Sequence, residues 1–249
     1  MSNPAQPRFQ ASNYLIWTLF RPMPQRLILL TDNAFLADLK ASLGAATAVE
    51  ALATLDELRS ANPTNARLVS FGSGVIVPPD VLGAFSGPSY NFHPGPPEYR
   101  GLFPSVFALY DNATTFGVTC HEMSAAVDSG AIVAVDRFAI PNGANREALD
   151  ALTYRAMLSL VERLAAQIGN IKQPLPKINQ SWSGPMRTRA DFNALCQLPK
   201  DVDAAEFQRR TRAIGEGPNH AISIELFGRR FKLDSRPDAT VVRGGREIS

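Results

Sequence analysis

Tyr90-Asn91-Phe92-His93-Pro94-Gly95-Pro96-Pro97-Glu98-Tyr99-Arg100-Gly101 is the segment on which the reading of this 249-residue chain turns. Its first residues read as the end of a strand, so Asn91 and His93, two apart, leave the same face of the backbone. Pro94, Gly95, Pro96 and Pro97 then stop any ladder or helix and force a stiff surface loop beside the pair. Polar groups at a strand end with a rigid loop against them mark where open α/β sheets bind ligands. Downstream, Phe116-Gly117-Val118-Thr119 and Val127-Asp128-Ser129-Gly130-Ala131-Ile132 add a carboxylate, Asp128, to the amide and the imidazole. That set of groups suits acyl transfer.

Around this segment, strand and helix signals alternate as a parallel sheet requires. Leu27–Thr31 reads as a first strand, Asn33 as the cap of a helix over Ala34–Leu43, Asp56–Ser60 as part of a second helix and Arg67–Phe71 as another strand. A turn through Pro78-Pro79-Asp80 leads to the Pro88–His93 strand. Leu102–Tyr110 reads as the next helix, and Phe116–Met123 with Ala131–Ile140 as a hairpin-like pair. Asn145 opens a long amphipathic helix with Leu149, Leu152, Met157, Leu160, Val161, Leu164 and Ile168 on one stripe.

The predicted class is α/β, an open, mostly parallel Rossmann-like sheet with a small C-terminal α+β region. In that region Asp191-Phe192 starts a short helical stretch, Asp203–Ile214 forms a helix with surface Arg209, Arg210 and Arg212, and Ile222–Leu226 pairs with Arg229–Leu233 around Phe227-Gly228. The expected organisation is an N-terminal arm over 1–26, a catalytic domain over 27–168, a Pro-, Asn- and Ser-containing linker over 169–190 and a small C-terminal domain over 191–249.

Each candidate residue has a plainer reading. Asn91 could cap a turn, His93 could be a satisfied strand-end histidine, and Asp128-Ser129-Gly130 could be an ordinary hairpin turn. His93, His121 and Asp128 could also be taken for two histidines and a carboxylate around a metal. No tight ligand spacing supports that, and alternation leaves the face of His121 open, so no metal is expected. His220 reads as a surface loop residue, and Cys120 and Cys196 as unpaired thiols. The first strand is followed by Thr31-Asp32-Asn33-Ala34, without the glycines of a dinucleotide-binding turn.

Taken in order, Asn91, His93, Pro94, Tyr99, Arg100, Gly101, Gly117, Val118, Thr119, Asp128 and Gly130 resemble the motifs of the formyltransferase family. That family includes glycinamide ribonucleotide, methionyl-tRNA and nucleotide-sugar formyltransferases. Two departures stand out: Gly95-Pro96-Pro97-Glu98 makes the loop after His-Pro one residue shorter than the usual Ser-Leu-Leu-Pro form, and Phe116 and Ser129 stand where threonine is common. The resemblance implies 10-formyltetrahydrofolate as donor, no metal, Asn91, His93 and Asp128 as catalytic residues, and a folate pocket lined by Tyr99, Arg100, Gly101, Val127 and Gly130. Formyl transfer between nitrogens passes through a tetrahedral intermediate, whose oxyanion needs donors and whose attacking amine must lose a proton. Asn91 and His93 can offer N–H groups, and Asp128 can take the proton or hold His93 in its cationic form.

Composition frames the choice of acceptor. An apolar fraction of 45% and a charged fraction of 19% allow a full core, and the net charge of +2 does not call for nucleic acid or membrane. The arginines of the C-terminal region are partly offset by Asp191, Asp201, Asp203, Glu206, Glu216 and Glu225, which favours a small amine, such as a nucleotide-linked amino sugar, over tRNA. The missing glycines after the first strand count against glycinamide ribonucleotide. Methionyl-tRNA formyltransferase, a formyltetrahydrofolate hydrolase and an inactive folate- or partner-binding module are the competing readings. A cytoplasmic location and no membrane span are expected, a homodimer is compatible with the reading, and Met1 and Met23 both stand as starts.

Overall fold

A computed structural model describes residues 25–44, 48–215 and 222–233. Most of the N-terminal arm, with Met1 and Met23, and His220 lie outside the described residues. Strands β1 (Arg26–Thr31), β2 (Ala48–Leu52), β3 (Ala66–Phe71) and β4 (Tyr90–His93) are followed by the two-residue β5 (Arg100–Gly101), then β6 (Thr115–Glu122) and β7 (Ile132–Ala139). Six of them form one sheet in the order β2-β1-β3-β4-β6-β7. β2, β1, β3 and β4 run parallel, and β6 and β7 close the sheet antiparallel. The expected open, mostly parallel sheet and the terminal hairpin pair are both present.

β1 shows why the sheet centre lies where it does. Leu27, Ile28, Leu29 and Leu30 are all fully buried, as a parallel strand covered on both faces must be. Leu27 and Leu29 point into a cluster with Val69, Phe71, Tyr90, Phe92 and the long helix Arg146–Gly169, through Met157, Leu160, Val161, Leu164 and Ile168. Ile28 and Leu30 point the other way, to Leu58, Leu68, Val77, Val81 and Phe85. On the long-helix face, buried Arg67 donates to the carbonyls of Gln167, Ile168, Ile171 and Gln173 and so satisfies the helix end.

Several boundaries differ from the expectations. Asp32, rather than Asn33, makes the first cap: its side chain accepts from the Ala34 N–H and opens a 3₁₀ turn, Asn33–Phe35, before the helix Leu36–Leu43. The helix expected from Leu102 starts at Pro104, because proline suits a first helical position and Phe103 adopts a left-handed φ of 59°. On the long helix, Asn145 caps as expected, but Leu152 is half-buried and Thr153 takes its place inside, its hydroxyl donating to Leu149 O. β2 was not foreseen.

Beyond the long helix come β8 (Met186–Arg187), the helix Arg189–Cys196, β9 (Gln197–Leu198), the helix Ala204–Ile214 and the hairpin of β10 (Ser223–Leu226) with β11 (Arg229–Lys232). A third cluster joins Val106, Phe107, Leu109, Phe116 and Leu149 to Phe192, Leu195, Leu198, Ala213, Ile214 and Ile222. The helix arginines are engaged within the protein: Arg209 and Arg210 pair with Glu206, and Arg212 donates to Ala144 O. Among the described residues no helix is long and apolar enough to cross a membrane.

Candidate active site

β4 ends at the site, and its neighbours complete it. Asn91 lies opposite His121 and His93 opposite Thr119 in the antiparallel β4–β6 register. Asp128 sits in the loop between β6 and β7 with φ 44°, a left-handed backbone that Asp tolerates better than most residues. Gly130, two residues on, lets that loop lie against β6: a Cβ there would stand 1.8 Å from Glu122 O. His93, His121 and Asp128 are only 3%, 3% and 4% exposed, whereas Asn91 is half-buried.

The Asp128 carboxylate addresses both imidazoles. Oδ2 is 3.4 Å from His93 Nδ1, and Oδ1 is 3.4 Å from His121 Nε2. The Gly101 N–H donates to Oδ2 at 2.8 Å, and Arg100 Nε donates to the Asp128 carbonyl at 2.9 Å. The residues after the proline loop therefore hold the carboxylate from outside. Burial pushes the Asp128 carboxyl upward, but the two imidazoles beside it and the Gly101 N–H outweigh that, so the carboxyl is held below its ordinary range and stays ionised.

His93 Nε2 lies 2.8 Å from Tyr99 O and donates to it, which leaves Nδ1 to face Asp128. Burial lowers the His93 pKa below the ordinary histidine value, against the opposing pull of Asp128 and the Tyr99 carbonyl. At neutral pH His93 is then a neutral base, and a proton arriving at Nδ1 finds a carboxylate waiting. His121 Nδ1 donates to Glu122 O at 2.8 Å, and the Asn91 amide nitrogen lies 3.1 Å from His121 Nε2. A carbonyl facing Nδ1 and an amide N–H facing Nε2 make Nδ1 the donor and Nε2 the acceptor, which sets the orientation of the Asn91 amide. Thr119 Oγ1 donates to Gly95 O at 2.8 Å and pins the proline loop to β6.

Two residues of the candidate site escaped the sequence reading. His121 was weighed there only as a metal ligand, and its place beside Asn91 depends on strand register and on an irregularity at Cys120/His121. Trp182 was passed over inside the expected linker. Its indole N–H donates to Gly130 O at 2.8 Å, and its ring meets His121 and His93 edge-on at 4.9 and 5.6 Å between centroids. The Arg100 guanidinium lies 5.8 Å from the same ring. Of the five residues expected to line a folate pocket, Tyr99, Arg100, Gly101 and Gly130 bond to the site or to its cover, and Val127 exposes an apolar side chain next to Asp128.

A half-exposed amide and a neutral imidazole at the end of a parallel strand meet a buried ionised carboxylate from the β6–β7 loop, the kinds of group that acyl transfer uses. The formyl transferase family model matches residues 34–157, and the chain belongs to the formyltransferase family. Over 154 residues it is 32% identical to the methionyl-tRNA formyltransferase of Heliobacterium modesticaldum, covering 61% of this chain and 47% of that protein. The chain thus spans about half the length of that curated relative.

The fold is shared with a 4-N formyltransferase from Francisella tularensis, at 19% identity and a TM-score of 0.68 over 85% of this chain and 96% of that one. It is also shared with an N-formyltransferase from Helicobacter canadensis solved with folinic acid and dTDP-3-aminofucose, at 18% identity and a TM-score of 0.60 over 82% and 85% of the two chains.

Proposed function

We propose that this protein moves the formyl group of 10-formyltetrahydrofolate to the primary amine of a small acceptor, a nucleotide-linked amino sugar. The observation that carries the reading is the convergence of Asn91, His93 and Asp128, with one carboxylate oxygen 3.4 Å from His93 Nδ1. In this account the acceptor nitrogen attacks the formyl carbon directly. The Asn91 amide donates to the developing oxyanion, and the His93 Nε2–H adds a second donor when it leaves Tyr99 O. Asp128 and His93 Nδ1 together receive the proton that the amine loses, and that proton passes to the departing folate nitrogen.

The donor side fits a flat heterocycle, because Val127 gives an apolar wall beside Asp128. Folinic acid in the Helicobacter canadensis relative supports the same donor class. On the acceptor side, Arg187 lies over the Phe107 ring and Arg189 over the Phe103 ring, each at 4.4 Å, and neither forms a salt bridge among the described residues. Two guanidinium groups stacked on rings in this way suit a diphosphate.

The second reading, a methionyl-tRNA acceptor, is favoured by the names of the curated relatives. Against it, Arg209, Arg210 and Arg212 are used in internal contacts rather than offered as a basic face. The test is to incubate the protein with 10-formyltetrahydrofolate and, separately, dTDP- and UDP-linked amino sugars and methionyl-tRNA. The proposal requires one sugar nucleotide to gain a formyl group by mass spectrometry, and formylation of methionyl-tRNA alone would replace it with the second reading.

A further inference from the structure

A site that activates a formyl group must keep water from taking the acceptor's place, and the cover over His93 and Asp128 shows where that is done. The strap from Lys177 to Arg187 is tied down along its length. Ile178 N donates to Ile132 O at 3.0 Å, Ser183 N donates to Pro97 O at 2.9 Å, and β8 pairs with β5 in parallel. Gly184 packs so closely that a Cβ there would stand 2.2 Å from Glu98 O. Within this strap one large side chain reaches the catalytic groups. Trp182 lies edge-on against both imidazoles, and its N–H is anchored on Gly130 O, in the loop that carries Asp128.

We infer that Trp182 is the positioning residue that shields the His93–Asp128 pair from water and thereby directs the formyl group to an amine rather than to hydrolysis. This rests on the donor assignment made above. In transfer, the amine nitrogen bonds to the formyl carbon, the bond from that carbon to the folate nitrogen breaks, and the amine's proton ends on the folate nitrogen. In hydrolysis, a water oxygen makes the new bond, the same bond breaks, the folate nitrogen takes a proton, and formic acid leaves and ionises to formate. Both routes use the same oxyanion donor and base, so the groups that speed one speed the other. What separates them is which nucleophile can reach the carbon. The indole packs edge-on over two imidazoles that are each 3% exposed, and a shortened side chain removes that cover. The edge contacts and the Gly130 bond also fix the imidazole planes, so the shield and the alignment of the base come from one side chain.

The test uses the full chain with 10-formyltetrahydrofolate and no acceptor, measuring formate and tetrahydrofolate together. Rates are expressed per site that binds 5-formyltetrahydrofolate, a stable probe, so an unfolded fraction drops out. Trp182→Ala should release formate about tenfold faster than the parent, while Trp182→Phe, which keeps a ring of similar span, should stay within about threefold of it. Diethyl pyrocarbonate should also modify His93 and His121 faster in Trp182→Ala than in the parent. Unchanged formate release in a Trp182→Ala protein that still binds the folate would overturn the inference and leave the donor assignment standing. Loss of folate binding in that variant would overturn it too, because the ring would then be a platform for the donor. Failure of the parent itself to bind 5-formyltetrahydrofolate would instead remove the donor assignment. If Trp182→Ala does not fold, Trp182→Leu takes its place with the same expected rise and the same refuting result.

Discussion

Asp128→Asn isolates the charge of the buried carboxylate with little change of shape. Asparagine is isosteric, and its side-chain oxygen can still accept the Gly101 N–H that now reaches Oδ2 at 2.8 Å. What disappears is the negative charge 3.4 Å from His93 Nδ1. At that separation, with an effective dielectric near 20, a carboxylate and an imidazolium attract by about 5 kcal/mol. Only the part that grows as the proton arrives affects the rate, so kcat should fall by roughly a hundred- to ten-thousandfold. The interaction belongs to the transition state rather than to substrate capture, so KM for the folate should change little. The assay is the initial rate of tetrahydrofolate formation with a formyl-accepting sugar nucleotide, alongside circular dichroism to confirm the fold. A fall in kcat of less than about fivefold would refute the proton-handling role of Asp128.

Three further outcomes follow from the same geometry. Burial lowers the His93 pKa while Asp128 raises it, so the acid limb of kcat/KM should lie below the ordinary histidine value of about 6.5 and move lower still in Asp128→Asn; the matching stability contribution is intact above about pH 6.5 and is lost as pH falls towards the depressed folded value, because the unfolded imidazole binds its proton first. A limb at or above the ordinary value would contradict this. Gly130→Ala forces a Cβ to within 1.8 Å of Glu122 O, so it should cost about 2 kcal/mol and displace Asp128, whereas Gly74→Ala, with nothing within 4 Å, should be nearly neutral in thermal unfolding. Arg67→Met strips four bonds of 2.6 to 3.2 Å from the long-helix terminus, and calorimetry should show a loss of about 3 kcal/mol, near 10 °C in Tm; a Tm within about 2 °C of the parent would mean that solvent satisfies those carbonyls.

The parts of this protein that were legible in its sequence are those written locally. β1 announces itself as a continuous apolar run, and the Asn145 cap with the stripe behind it marks the long helix. Asn91 and His93 were paired correctly on one face because strand periodicity requires it. Ala48–Leu52 was missed because Ala-Val-Glu-Ala-Leu carries one β-branched residue and forms a half-exposed edge strand, so neither propensity nor burial marks it. The cap fell to Asp32 rather than Asn33 because two adjacent residues can both cap, and only the backbone decides between them. Trp182 could not have been placed from local sequence: it sits among Ser, Gly and Pro, and its partners His93, His121 and Gly130 lie more than fifty residues away in the chain. The face of His121 became fixed only when β6 took its register against β4.

The most direct test of the central claim is stoichiometric. Purified protein is mixed with 10-formyltetrahydrofolate and a pool of nucleotide-linked amino sugars, and tetrahydrofolate and formylated product are counted in the same sample, with His93→Ala as the control. The account predicts equal amounts of the two products, formation that depends on the amine, and loss of both in His93→Ala. Tetrahydrofolate accumulating equally well without any amine, or a His93→Ala protein as active as the parent, would contradict it.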